Sequence, residues 1–182
     1  MAMWLLRRQA ARVVLLDPAD RVLLLEGSDP YRPEKGTWWE LPGGGVEAGE
    51  ATARAAAREL YEETGIVDVD MGPCVWRHHA AFEFAVYQFD QHEFVHVART
   101  AAAAEDGADL EYRPGGLEAL EAMAFRGARW WPLDDLASFT RSGGRVIPPW
   151  LVEQLPVVLG ADWPPAVGVE GPIDMGELGD LG

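Results

Sequence analysis

The chain has 182 residues, 48% of them hydrophobic and 10% aromatic, a composition that suits a folded domain and excludes an intrinsically disordered chain. Its formal charge of -15, from 15 basic and 30 acidic residues, excludes extended binding to a nucleic-acid polymer, because such binding needs a cationic face. The single Cys74 excludes an internal disulfide and favours a reducing, cytoplasmic location.

The first residues are apolar only briefly. Arg7, Arg8 and Arg12 interrupt them before a signal-peptide core or a membrane span develops. We therefore expect a soluble, unexported protein that does not bind membranes.

The first elements in chain order are predicted to be strands. Two apolar runs, Val13–Leu16 and Val22–Leu25, flank the turn-forming segment Asp17–Asp20 and predict a hairpin. A polar segment with two prolines, Gly27–Gly36, predicts a surface loop, and Trp38–Leu41 resumes as a short strand.

The clearest helix follows the sequence Pro42–Gly45, which ends that strand. Residues Ala51–Thr64 contain neither Pro nor Gly and are rich in Ala, Arg, Glu and Leu, while Gly65 stands where a left-handed cap ends a helix. Three further strands are predicted at Val75–Arg77, Ala81–Asp90 and Phe94–Arg99.

The C-terminal half gives weaker signals. Thr100–Pro114 predicts an irregular loop, Leu117–Phe125 a short helix, and Trp130–Leu133 the end of a strand that leads into another helix. Residues 1–160 are predicted to form a single domain, and residues 161–182 an acidic, Gly- and Pro-rich tail that is partly disordered.

Chemistry is indicated most strongly on the predicted helix. At about 100° per residue, Glu59, Glu62 and Glu63 fall within an arc of roughly 100°, so three carboxylates share one face. Such like charges repel, and a hard divalent cation offsets the repulsion well. The preceding glycines allow the Gly43 carbonyl to approach that cation, and Arg58 is placed to keep Glu59 ionised.

The segment that carries these residues resembles the signature of the Nudix hydrolase family. That signature reads Gly, five residues, Glu, seven residues, then Arg-Glu-(apolar)-x-Glu-Glu-x-Gly-(apolar). Every fixed position is filled within this 23-residue segment, by Gly44, Glu50, Arg58, Glu59, Leu60, Glu62, Glu63, Gly65 and Ile66. The flanking Leu41-Pro42-Gly43-Gly44 and the downstream Trp130-Trp131-Pro132-Leu133 look like the family's usual surroundings.

The resemblance implies a fold and an activity. The implied fold is an α/β/α sandwich in which a mixed sheet lies between helices. The implied activity is metal-dependent hydrolysis of a phosphoanhydride in a nucleoside diphosphate linked to another group, with Mg²⁺ as cofactor and Mn²⁺ as an alternative.

The resemblance also implies roles for individual residues. By position, the metal ligands would be Glu59, Glu62, Glu63 and the carbonyl of Gly43. Arg58 and Glu50 would brace the loop and the helix, with Gly44 and Gly65 as structural positions. Glu59 is the first candidate for the general base. A further ligand outside the signature is expected at Glu121, with Glu118, Glu111 and Glu105 as less well placed alternatives.

Candidate substrate-binding residues flank the signature. Trp38 and Trp39 precede it, and Arg77, His78 and His79 follow it. Aromatic rings stack on bases, and Arg and His side chains hold phosphates. Neighbouring residues of a strand point to opposite faces, so only one of each pair can face a site, and we select Trp39, Arg77 and His79.

Other functions remain open. A Nudix-fold binding or regulatory module without turnover would be expected to have lost a signature carboxylate, and none is lost. An isomerase acting on a prenyl diphosphate lacks support, because no paired Cys and Glu stand outside the signature. The expected partner is a small nucleotide-type molecule, whose identity is open, and a homodimer is an open alternative to a monomer.

Overall fold

The computed structural model describes residues 3–101, 119–160, 162–167 and 170–179; for residues 119–121 it describes the backbone alone. In this part of the chain, nine strands form one mixed sheet accompanied by four α-helices. The strands are β1 (Trp4–Leu16), β2 (Val22–Ser28), β3 (Thr37–Glu40), β4 (Gly43–Gly45), β5 (Val69–Phe84), β6 (Tyr87–Thr100), β7 (Phe125–Trp131), β8 (Val146–Ile147) and β9 (Ile173–Leu178). The helices are α1 (Thr52–Thr64), α2 (Ala119–Ala124), α3 (Leu133–Arg141) and α4 (Leu151–Gln154).

Strand β1 is the centre of the sheet. The strand order is β8-β3-β2-β1-β6-β5-β9, with β4 also paired to β1 and β7 also paired to β2. Strand β1 pairs in parallel with β6 over its whole length, from Trp4 opposite Tyr87 to Leu16 opposite Arg99. It is antiparallel to β2 across the tight connection at Leu16 and Val22, which confirms the predicted hairpin.

Both faces of the sheet are buried. On one face, Val13 and Leu15 of β1 pack in a cluster with α1. On the other face, Val14 and Leu16 pack in a cluster that includes residues of α3 and α4. Because side chains alternate along a strand, a strand covered on both faces shows an unbroken apolar run, as this one does. The structure therefore confirms a mixed sheet between helices.

The predicted helices match the structure closely. Helix α1 occupies Thr52–Thr64, and Gly65 follows it with a left-handed φ of 75°. The short helix predicted near Leu117–Phe125 is α2, Ala119–Ala124, and the strand end at Trp131 leads into α3 as expected. The loop predicted at Thr100–Pro114 lies almost wholly outside the described residues.

The predicted strand Ala81–Asp90 is wrong. A turn divides this segment into the end of β5 and the start of β6, which pair antiparallel with Phe84 opposite Tyr87. Ala85 lies in the turn with a φ of 53°, a left-handed conformation that is uncommon for residues other than glycine. Alternating apolar residues on both sides of the turn hid it in the sequence.

Two further segments differ from expectation. The glycines predicted only to end a strand form β4, which pairs with Ala10, Ala11 and Arg12 of β1. The tail predicted to be partly disordered contains an ordered strand: β9 pairs in parallel with β5, and Trp163 and Met175 pack against the core. The domain boundary at residue 160 stays a prediction.

None of the helices in the described ranges is long and apolar enough to cross a membrane.

Candidate active site

Helix α1 lies between the sheet and solvent and contains the predicted carboxylates Glu59, Glu62 and Glu63. Its apolar side, including the fully buried Leu60, packs on the sheet. Gly65 ends the helix by donating its N–H to the Tyr61 carbonyl at 2.7 Å. The Glu59 side chain is 11% exposed and that of Glu62 is 32% exposed, so the carboxylates run from the core edge outward.

Arg58 ties the helix to the preceding loop. Its Nε and Nη2 donate to the two oxygens of Glu50 at 3.1 and 3.0 Å, a two-pronged contact, and Nη2 also donates to the Gly45 carbonyl at 2.8 Å. Its Nη1 donates to Glu59 at 2.8 Å and to Glu62 at 3.2 Å. Glu50 and then Glu59 raise the pKa of Arg58, and the hydrogen bonds from Arg58 lower the pKa of Glu50.

The glycine loop approaches the helix too closely for side chains. Gly43 has a φ of 139°, and a Cβ there would lie 2.1 Å from the backbone oxygen of Ala11. The Gly43 N–H donates to Oε2 of Glu63 at 2.8 Å. A Cβ on Gly44 would lie 2.5 Å from Oε2 of Glu59. The glycines therefore let two carboxylates of α1 lie directly against the loop.

A cavity of about 420 Å³ opens beside this loop, within the usual range for small-molecule sites. Its polar wall includes Gly43, Gly44, Glu63, Arg8, Arg12, Glu40, His78 and Glu93. Its aromatic wall includes Trp38, Phe82, Phe84, Tyr87, Phe89 and Phe125. The cavity thus joins part of the predicted signature to a surface that suits a flat apolar ring.

One buried arginine lies among the acidic groups of the cavity. Arg12 donates to the Gly43 carbonyl at 2.8 Å and pairs with Glu93 at 3.3 Å. Burial raises the pKa of Glu63 well above its ordinary value, although Arg12 and the Gly43 N–H oppose the rise. Burial likewise raises the pKa of Glu40, whereas for Glu93 burial is outweighed by Arg12 and His78, and its pKa falls to about 2.

The family can now be assigned. A family model described as the NUDIX domain matches residues 6–151, which include most of β1, the glycine loop, α1 and the cavity residues. The chain belongs to the Nudix family.

Similar proteins agree with this assignment. A CMP-5'-(N-acetyl-N-hydroxy-3-aminopropyl)phosphonate hydrolase from Streptomyces rubellomurinus is 36% identical over 138 residues, covering 75% of this chain. This chain spans only 57% of that relative's length. The crystal structure of a MutT protein from Methanosarcina mazei has a TM-score of 0.51 at 19% identity, covering 82% of this chain and 91% of that one. The DR0079 structure from Deinococcus radiodurans has a TM-score of 0.50 at 16% identity, covering 82% of this chain and 81% of that one. The MutT structure supports the Nudix fold, and the Deinococcus structure shares the same overall fold.

The Nudix box residues fit a hard divalent cation by their donor chemistry. Glu59, Glu62 and Glu63 are oxygen donors, and the glycine loop leaves no space for a Cβ beside Glu59. Among the described residues, no three His, Cys, Asp or Glu side chains enclose a metal position by themselves. Mg²⁺ usually binds one or two carboxylates and completes its shell with water and substrate phosphates, so the Nudix box does not need a closed protein cage.

The structure places the predicted substrate residues outside the cavity. Trp39 packs against Trp131 with ring centroids 5.2 Å apart, within the core. Arg77 pairs with Asp174 of β9 at 3.0 Å and is half exposed. His79 lies on the face of β5 away from the cavity. None of the three lines this cavity, and the selection of Trp39, Arg77 and His79 as substrate-binding residues stays a prediction.

Strand alternation explains this placement, because the cavity is lined instead by the neighbours Trp38 and His78. The fourth predicted ligand outside the Nudix box, Glu121, lies in α2, where the structure describes only the backbone. Its role stays a prediction.

The charged residues at the centre of the cavity's hydrogen-bond network were not selected from the sequence. Arg12, Glu40 and Glu93 all lie in strands, and Arg12 and Glu93 come together because β1 and β6 pair in parallel. The available signal was an arginine inside the apolar run of a central strand, since a charged residue there is rarely buried without a partner. For Glu93 the sequence offered no comparable local signal.

Proposed function

We propose that this Nudix protein is a metal-dependent hydrolase that cleaves a phosphoanhydride bond in a nucleoside diphosphate linked to another group. The observation that carries the proposal is the Arg58 cluster. A single guanidinium holds Glu50, Glu59, Glu62 and the glycine loop together beside a cavity large enough for a nucleotide-type ligand.

The proposed cofactor is Mg²⁺, with Mn²⁺ as an alternative. Glu59, Glu62 and Glu63 would hold it together with the Gly43 carbonyl, and Glu121 is the proposed further ligand. The Gly43 oxygen already accepts a hydrogen bond from Arg12, but a carbonyl oxygen has two lone pairs and retains one for a cation. When bound, the cation supplies Lewis-acid neutralisation of the diphosphate charge.

The protein's own groups then position the reaction. Arg58 fixes the Glu59 and Glu62 carboxylates relative to the loop, so that they do not have to reorganise during the reaction. Glu59 is the first candidate to accept the proton of the attacking water. The aromatic wall would exclude water around the nonreacting part of the substrate.

The substrate class is proposed from the relative in Streptomyces rubellomurinus. That protein is named for hydrolysis of a CMP-linked phosphonate, and its match covers 75% of this chain. Cytidine nucleotides linked through the 5'-phosphate to a second phosphorus group therefore come first among candidate substrates. A cytoplasmic location and a homodimer also stay predictions, the second of which light scattering can test.

The test is hydrolysis of a substrate panel with and without Mg²⁺. The panel contains CDP-linked compounds, a CMP-phosphonate anhydride, nucleoside triphosphates, nucleotide sugars, ADP-ribose and dinucleoside polyphosphates. Glu62→Gln removes a proposed ligand, and Glu47→Gln removes an exposed carboxylate from the same loop and helix region as the matched control.

We expect Mg²⁺-dependent turnover that falls at least about 100-fold in Glu62→Gln, since losing even an outer partner of a metal site commonly costs 10- to 100-fold. Glu47→Gln should stay within about threefold of the wild type. Turnover that is equal in both variants would contradict the proposed site. Nucleotide binding without turnover on any compound would instead favour a Nudix-fold binding module.

A further inference from the structure

A fixed hydrogen-bonding pair lines the aromatic cavity beside the Nudix box. Arg12 Nε lies 3.3 Å from Glu93 Oε2, and His78 Nε2 lies 3.3 Å from the same oxygen. Gln91 donates to the other oxygen of Glu93. Gln91 in turn accepts from Arg8 Nε at 2.9 Å, so contacts from three strand positions hold the Glu93 carboxylate in place.

The pair retains hydrogen-bonding capacity. A carboxylate offers about four acceptor positions, and close contacts from Arg12, His78 and Gln91 cover three of them. Arg12 uses Nε for Glu93 and Nη1 for backbone carbonyls, whereas its Nη2 has no hydrogen-bond partner in the described part of the chain. One acceptor position and a neighbouring donor therefore remain on the cavity wall.

The surroundings of this pair suit a planar heterocycle. Phe82 and Phe89 are stacked at 5.0 Å with an interplanar angle of 11°, and Trp38 meets Phe84 edge to face at 6.4 Å. All four line the same cavity as Arg12 and Glu93. A base would bury its faces against rings of this kind while its polar edge reaches a few fixed groups.

We propose that Glu93 and Arg12 determine base specificity by hydrogen-bonding to the edge of an aminopyrimidine ring, as found in cytosine and adenine. This proposal rests on the proposed function. On this edge an exocyclic amino group lies beside a ring nitrogen. The amino N–H donates to Glu93, and Arg12 Nη2 donates to the ring nitrogen.

The other common bases match the pair less well. In uracil the ring N–H can donate to Glu93 while one neighbouring carbonyl oxygen accepts from Arg12. The second carbonyl oxygen then lies beside the anionic Glu93 carboxylate and is repelled by it, whereas in cytosine and adenine no carbonyl oxygen lies on that side. In guanine O6 can accept from Arg12 and the ring N–H can donate to Glu93. The adjacent 2-amino group then finds no second free acceptor position on Glu93 and stays unpaired. Sites built from buried polar groups discriminate strongly when a ligand leaves such a group unpaired.

If the Arg12–Glu93 ion pair only stabilised the sheet, the protein would show no base preference. Binding experiments therefore distinguish a structural role of the pair from a role in base specificity. Dissociation constants for CMP, AMP, UMP and GMP are measured by calorimetry on the wild-type full chain, without any need for turnover. The first variant is Glu93→Gln, which keeps the shape but removes the charge. The matched control is Glu83→Gln, which removes a cavity-wall carboxylate that pairs instead with Arg32 at 2.8 Å.

We expect CMP, AMP or both to bind the wild type at least about tenfold more tightly than UMP and GMP, the discrimination that one well-placed base contact provides. The CMP and AMP values identify which of the two bases is read. In Glu93→Gln the preference should fall to within about threefold, and in Glu83→Gln it should persist.

Equal wild-type affinities for all four nucleotides, or no binding of any, would overturn the proposal even if Glu93→Gln fails to fold. A folded Glu93→Gln protein that keeps the full preference would do the same. A base preference without hydrolysis of any substrate would refute the proposed hydrolase and leave the specificity pair standing. Hydrolysis without a base preference would refute the specificity pair alone.

Discussion

Replacing Gly44 by alanine should displace the Glu59 carboxylate without unfolding the protein. A Cβ at Gly44 would lie 2.5 Å from Oε2, 2.6 Å from Cδ and 2.8 Å from Oε1 of Glu59, whereas ordinary contacts begin at 3.4 Å. The carboxylate must therefore move back by about 1 Å, which changes the geometry of its hydrogen bond with Arg58. A misplacement of this size in a catalytic group can lower the rate by about 100-fold.

The same substitution should leave the protein folded. The clashing atoms belong to the end of a flexible side chain, and Gly44 does not have the positive φ that strains alanine. Alanine also reduces the entropy of the unfolded chain, which offsets part of any loss. We expect kcat/KM to fall about 100-fold, equivalent to about 2.7 kcal/mol, with a change in Tm of only a few degrees.

The assay is kcat/KM on the best substrate of the panel, with thermal unfolding as the check on folding. Gly127→Ala is the matched control, because a Cβ at Gly127 in β7 would meet nothing within 4 Å. Its kcat/KM should stay within about threefold of the wild type. A folded Gly44→Ala protein with the activity of this control would refute the importance of the close loop–helix approach.

Three further substitutions test the site. Gly43→Ala should lower the free energy of unfolding, measured by urea titration, by at least about 2 kcal/mol. The reason is that the added Cβ would lie 2.1 Å from the Ala11 backbone oxygen. A loss below about 0.5 kcal/mol would contradict this prediction. Arg58→Lys should lower kcat/KM at least about tenfold, because an ammonium cannot reproduce the two-pronged contact with Glu50, and an unchanged value would show that the charge alone suffices. Burial raises the pKa of Glu63 above 4.5. In metal-free protein, Glu63 therefore contributes stability below pH 4.5, where it is protonated, and this stability is lost as the pH rises through the raised pKa. When Tm is measured with a metal chelator between about pH 5 and about pH 8, it should therefore decline less in Glu63→Gln than in the wild type. A steeper decline in the variant would show that the pKa of Glu63 is not raised.

The Nudix box was predictable because its information is local. Helical spacing places Glu59, Glu62 and Glu63 on one side of α1, and the Arg58 contacts lie within a few turns or the adjoining loop. The glycine pattern likewise predicted a close approach, although not that Gly43–Gly45 would form a strand beside β1. Local geometry fixes these contacts before the rest of the chain is placed.

The cavity was not predictable because its residues are assembled by pairing between distant strands. Arg12 reaches Glu93 only through the parallel register of β1 and β6, which no local pattern specifies. The choice between His78 and His79 depends on which face of β5 is covered, and a shift of one residue exchanges the two faces. The turn at Ala85 sets this register for β5 and β6.

The long pairing of β1 with β6 also has a consequence for how the protein folds. Its paired residues are far apart in the sequence, as Arg7 and Asp90 show with a separation of 83 residues. Closing so large a loop costs entropy before the strand contacts can compensate, and nonlocal parallel pairing is correspondingly slow. During synthesis, the apolar residues of β1 must therefore wait for β6 to emerge, and this interval is when aggregation or chaperone binding would compete with folding.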